Sequence, residues 1–133
     1  MTIQEHRQPA IRVSLLPRDT NPNGTIFGGI ILSYIDQAGA IEAQLHGAAK
    51  IVTVTMDQVV FHEPVYVGDL LSLYAHVTKL GTTSITVQVV VEASRPACDV
   101  PPRKVTEACI VYVNVDEQGK PTPLPPTCKP ADL

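Results

Sequence analysis

Only one stretch of this chain, Phe27 to about His46, carries the spacing of a long helix, and it is apolar on nearly every side. A helix of that kind must be enclosed by other structure. Phe27, Ile30, Ile31, Tyr34, Ile35, Ala38, Ile41 and Leu45 recur at i, i+3, i+4 and i+7, as in a helix packed on a sheet. The remaining chain supplies the sheet. Ile11 to Leu15 alternates with period two until Pro17, and Ile51 to Phe61 is a β-branched run. Leu71 to Val77, Ile85 to about Ala93 and Val105 to Val115 follow. Val67-Gly68-Asp69, Leu80-Gly81-Thr82 and Glu117-Gln118-Gly119-Lys120 supply turns between or after them. This order predicts an α+β fold, a long central helix wrapped by a curved antiparallel sheet of five to six strands, with a partner subunit covering what the sheet leaves open.

A chain of 133 residues has room for one core. The expected divisions are a polar lead over 1–10, a single domain over 11–120 and a tail over 121–133. Five of the twelve prolines fall between Pro121 and Pro130, which predicts an extended tail. No apolar run approaches the ~20 residues of a bilayer span, and Met1 to Pro9 has no signal-peptide core, so a soluble cytoplasmic protein without membrane insertion is expected. A net charge of -3 without a Lys/Arg cluster argues against nucleic acid as a partner. A small anionic ligand held by a few local donors is compatible with it.

Cys98, Cys109 and Cys128 show no metal-ligand spacing, and Cys109 reads as a small buried hydrophobe. His46, His62 and His76 fit no metal motif, and no serine occupies a GxSxG elbow, so the histidines read as structural or surface residues and no metal site is expected.

The chemistry gathers at the helix start. Asn23-Gly24-Thr25-Ile26-Phe27-Gly28-Gly29 leads into the helix, and Asp36 follows seven residues later. At about 100° per residue, Asp36 projects away from the apolar stripe, among Gly29, Leu32, Gly39, Ala40 and Ala43. Such small or apolar neighbours would let another surface approach. A helix beginning near Phe27 leaves its first N–H groups unpaired and carries positive partial charge there. The Gly28 amide, beside Gly29, is therefore the candidate donor to an oxyanion, since glycine lets a carbonyl come close to backbone. The competing reading is that both glycines serve only tight packing. Asn23 reads as a cap or as a side chain that orders the preceding loop.

These residues, with Asp19 to Pro22 before them, Phe61-His62-Glu63-Pro64-Val65-Tyr66-Val67-Gly68-Asp69, Gly81-Thr82-Thr83-Ser84 and the stretch from Asp116 to Pro126, resemble the hotdog-fold acyl-CoA thioesterases of the YciA-like group over nearly the whole chain. The resemblance implies hydrolysis of acyl-CoA to free CoA and a carboxylic acid, with coenzyme A as part of the substrate and no other cofactor. It makes Asp36 the catalytic carboxylate, either general base toward water or nucleophile through a mixed anhydride. Asn23 would orient the water or thioester, facing the Asp36 of a second subunit. Phe27 and Gly29 would adjoin the substrate, and Thr82, Thr83 and Ser84 would meet the phosphates or pantetheine arm, although without the resemblance a plain hairpin turn is the preferred reading of those three. Lys79 and Arg95 are candidate phosphate partners, although the family tends to be more basic where this chain has Glu92-Ala93-Ser94-Arg95. A dimer, associating further as a trimer of dimers, is implied. The alternative function is a non-catalytic acyl-CoA-binding hotdog module; a hotdog hydratase would need an Asp/His segment that the sequence lacks.

Overall fold

The computed structural model describes residues 8–128. Strand β1 (Ile11–Ser14) leads through a single 3-10 turn at Pro17–Asp19 and a loop to helix α1 (Gly28–Leu45). Four longer strands follow: β2 (Ile51–Phe61), β3 (Leu70–Leu80), β4 (Ser84–Arg95) and β5 (Val100–Asn114). They form one five-stranded sheet in the order β1-β3-β4-β5-β2, every pair antiparallel. The sheet is not closed, and α1 lies across one face of it.

Alternation is clean in β4, where Ile85, Val87, Val89 and Val91 are fully buried on the helix side. In β5 the residues Ala108, Ile110 and Tyr112 take the same side. Cys109, expected to be buried, therefore faces the outer side and is only half-buried. β5 also begins earlier than its apolar run, at Val100, because Arg95 of β4 pairs back with it.

The buried face of α1 differs from the predicted stripe. Ile31, Ile35, Ala38, Gly39 and Ala43 are buried, whereas Phe27, Ile41 and Leu45 are exposed, Leu45 at 76%. The face is turned by about a fifth of a helical turn. The cause is close approach: a Cβ on Gly39 would lie 2.3 Å from the Tyr112 hydroxyl, so Gly39, with the buried Ala38 and Ala43, packs on the sheet of its own chain. Gly47, at φ +104, ends the helix region, and the Ala48 amide returns to the Ala43 carbonyl.

β2 occupies one edge, with β5 its one strand partner among the described residues, and leaves Val52, Val54, Val60 and Phe61 exposed. Register shifts interrupt it between Thr53 and Thr55 and between Asp57 and Val60. Pro121 to Cys128 do not project away: Val115 bridges Pro121, the Leu124 amide donates to Thr82, and Leu124 and Cys128 pack on the core. Lys129 to Leu133 and Met1 to Arg7 lie outside the described residues. Among the described residues no helix is long and apolar enough to cross a membrane.

Candidate active site

The loop before α1 is ordered by Asn21. Its Oδ1 accepts from the amides of Asn23 (2.8 Å) and Thr25 (3.2 Å), and its Nδ2 donates to the Thr25 hydroxyl. The loop-ordering task considered for Asn23 thus falls to Asn21. Asn23 is exposed, and its side chain has no hydrogen bond among the described residues.

Phe27 stands at the N-cap and its side chain caps nothing; the first turn holds no acidic residue. The leading amides of α1, Gly28 among them, therefore keep their positive end uncompensated. Two phenyl rings flank this end. The Phe61 ring lies 3.4 Å from where a Gly28 Cβ would stand, and the Phe27 ring fills the corresponding space at Gly29. Beside them a cleft of about 310 Å³ is lined mainly by Ile26, Gly28, Ile31, Phe61, Pro64 and Val65, with His62 and Glu63 at its polar side. Such a lining suits an apolar chain leading to a carbonyl at the helix terminus.

Asp36 does not line that cleft. It is half-buried beside β2, where the Thr53 hydroxyl donates to its Oδ1 at 2.7 Å. The Tyr112 hydroxyl crosses from the sheet to donate to the Asp36 backbone carbonyl at 2.7 Å. Burial, with the nearby Asp36 charge and hydrogen bond, pushes the Tyr112 phenol well above its ordinary value. Asp36 lies eight positions beyond Gly28 in the helix, about 12 Å along the axis. An oxyanion donor and a base acting on one carbonyl must both lie within about 3 Å of the reacting atoms. One chain does not bring Gly28 and Asp36 to a common carbonyl.

Thr82, Thr83 and Ser84 lie at the other end of α1. The Thr83 carbonyl accepts from Asn114, whose side chain reaches Ala49 just after the helix, and the Thr82 carbonyl accepts from Leu124. Lys79, near the end of β3, is exposed toward that same end. Arg95 is committed elsewhere: its Nε donates to Asp69 at 2.5 Å, its Nη2 to the Val67 carbonyl, and its guanidinium lies 5.9 Å from the Tyr66 ring centre. His62 adjoins Glu107 at 3.5 Å, and His46 adjoins Glu42 at 3.3 Å. Among the described residues no group of three or more His, Cys, Asp or Glu could hold a metal ion.

Thr53 and Tyr112 were not singled out from the sequence. Gly39 was the available signal, because glycine inside a helix destabilises it unless something approaches closely.

Comparison with known proteins agrees with this architecture. The thioesterase superfamily profile matches residues 23–98. The acyl-CoA thioester hydrolase YciA of Salmonella typhimurium is 44% identical over 117 residues, covering 86% of this chain and 88% of its own. The hexameric hotdog-fold thioesterase of Campylobacter jejuni superposes with a TM-score of 0.83 at 44% identity, over 90% of this chain and 91% of that one. An acyl-CoA hydrolase from Staphylococcus aureus, solved with butyryl coenzyme A and coenzyme A, gives 0.79 at 32% identity, over 86% and 70%. With its single helix on an open antiparallel sheet and these likenesses across most of its length, the chain belongs to the thioesterase superfamily, among the hotdog-fold acyl-CoA thioester hydrolases of the YciA type.

Proposed function

We propose that this protein hydrolyses acyl-CoA thioesters to coenzyme A and a carboxylic acid, at sites built from two subunits. One observation carries the reading: the uncapped amide of Gly28 and the carboxylate of Asp36 are about 12 Å apart along one helix. Two copies related by a twofold axis, with their helices antiparallel, would set Gly28 and Asn23 of one beside the partner's Asp36. The open, apolar β2 edge supports such pairing, since an edge strand with one side unpaired and with exposed Val52 and Val54 invites another strand. The hexameric Campylobacter relative favours three such dimers.

In this scheme the acyl carbonyl oxygen points at the Gly28 amide. Water, oriented by Asn23, attacks the carbonyl carbon and gives its proton to the partner's Asp36. The Gly28 N–H carries the tetrahedral oxyanion, which collapses with cleavage of the carbon–sulfur bond. The departing thiolate takes that proton back from the partner's Asp36 and leaves as CoA, which restores the carboxylate. Direct attack by the carboxylate, giving a mixed anhydride that water then cleaves, uses the same groups. Neither route calls on a metal or redox cofactor. Thr82 to Ser84 and Lys79, remote from Gly28 in their own chain, are proposed to reach the CoA arm bound at the partner's helix start.

Thiol release from acetyl-, butyryl-, octanoyl- and palmitoyl-CoA tests this. The wild-type protein turns over, and Asp36→Asn falls at least about a hundredfold with its oligomer size intact. Undiminished turnover by Asp36→Asn removes the assignment. Binding of CoA without thiol release by the wild type would favour the non-catalytic module instead.

A further inference from the structure

Asp69 is a carboxylate only 1% exposed, yet it lies outside the cleft. A charge so deeply placed persists only when it is paired and hydrogen-bonded. It accepts from Arg95 Nε at 2.5 Å, from Arg103 Nη2 at 3.4 Å and from the Tyr66 amide at 2.9 Å. The two arginines also hold backbone carbonyls of the segment that leads to it. Arg103 Nη2 donates to Pro64, and Arg95 Nη2 donates to Val67. Arg103 Nη1 is in turn anchored on the Ala93 carbonyl of β4.

Phe61 to Val65 is one wall of the cleft, facing Gly28 and Ile31. No regular element holds the chain between Phe61 and Leu70. Its placement depends on these side chains, on the Val105 carbonyl that accepts from His62 and Glu63, and on the Ile26 amide donating to Val65. We infer that Asp69, Arg95 and Arg103 form a clamp that sets the position of the Phe61 to Val65 wall, making them positioning residues that determine which acyl chains the cleft accepts. The inference rests on the thioesterase reading above. An acyl methylene gained or lost in apolar contact changes kcat/KM by about fourfold, so a small displacement of the wall alters the ranking of chain lengths. Lysine cannot replace either arginine here, because one ammonium does not span acceptors that the planar guanidinium reaches in different directions.

The test uses Arg103→Lys and Arg95→Lys in the full-length oligomer, with kcat and KM for acetyl-, butyryl-, octanoyl- and palmitoyl-CoA. Thermal midpoint and oligomer size are recorded alongside. The clamp predicts that the octanoyl-to-acetyl ratio of kcat/KM shifts at least fivefold, in the same direction in both variants, with oligomer size unchanged. A fall by one common factor for all four substrates would mean that the clamp only stabilises the fold, and overturns the inference. A wild-type protein that hydrolyses none of the four overturns the functional reading itself and this inference with it.

Discussion

The Thr53 hydroxyl donates to Asp36 Oδ1 across 2.7 Å, tying the carboxylate on α1 to the open edge strand β2. One carboxylate oxygen is thus oriented by its own chain. The same contact puts the carboxylate next to the surface on which a second subunit is proposed to sit.

Removing that hydroxyl while keeping the side-chain shape isolates its contribution. Thr53→Val is expected to lower kcat by about tenfold or more with KM within twofold, and Thr53→Ser to restore most of it. Steady-state kinetics with one acyl-CoA measures this. Equal kcat in Thr53→Val and the wild type would show that the hydrogen bond has no part in orienting Asp36.

Gly39→Ala sets two effects against each other. Helix propensity favours alanine by about 0.5–1 kcal/mol. The new methyl would stand 2.3 Å from the Tyr112 hydroxyl and 3.1 Å from its ring, and overpacking of that kind costs about 1–3 kcal/mol. A net loss of stability is expected in denaturant unfolding. Tyr112→Phe removes the nearest atom and should make the double variant less unstable than the sum of the singles.

The raised Tyr112 phenol gives a pH dependence of definite sign. Its folded-state value lies above the ordinary 10.0, so the neutral phenol is favoured in the fold. The associated stability is complete below about pH 10, where both states hold the proton. It is lost as pH rises from there toward the folded-state value, because the unfolded chain deprotonates first. The slope is at most about 1.4 kcal/mol per pH unit. Tyr112→Phe should be less stable at neutral pH and show a flatter decline above pH 10.

Placing a charge on the β2 edge tests the need for association. Val54, 55% exposed, contributes little to the core of its own chain, so Val54→Lys should leave the subunit folded. It is expected to dissociate the protein and abolish hydrolysis although Asp36 and Gly28 are intact. Light scattering and circular dichroism report size and fold. A folded, active monomer would contradict the shared site.

The sequence was informative wherever one local pattern decides the structure. β2 spans the run from Ile51 to Phe61, and α1 begins within one residue of the expected start, because Asn-Gly punctuation and helical spacing act at short range. Which side of α1 is buried depends instead on a contact between Gly39 and Tyr112, 73 positions apart, and helical periodicity is silent on that. The same holds for Arg95. Its place in the pattern suggested a phosphate partner, but its pairing with the buried Asp69 depends on where β4 ends beside the turn before β3. Phe61 gave no chemical signal of its own, yet folding sets its ring against Gly28.

The central claim is that each site takes Asn23 and Gly28 from one chain and Asp36 from the other, and mixing two inactive variants tests it most directly. Asp36→Asn and Asn23→Ala subunits are each expected to be severely impaired alone. Unfolded together in equal amounts and refolded, they would pair at random, and half the dimers would be mixed. Each mixed dimer has one intact site, drawing Asn23 from the first variant and Asp36 from the second, and one site with both defects. Recovery of about a quarter of wild-type activity is the predicted result. A mixture that exchanges subunits yet stays as inactive as its components would place the site within one chain and contradict the account.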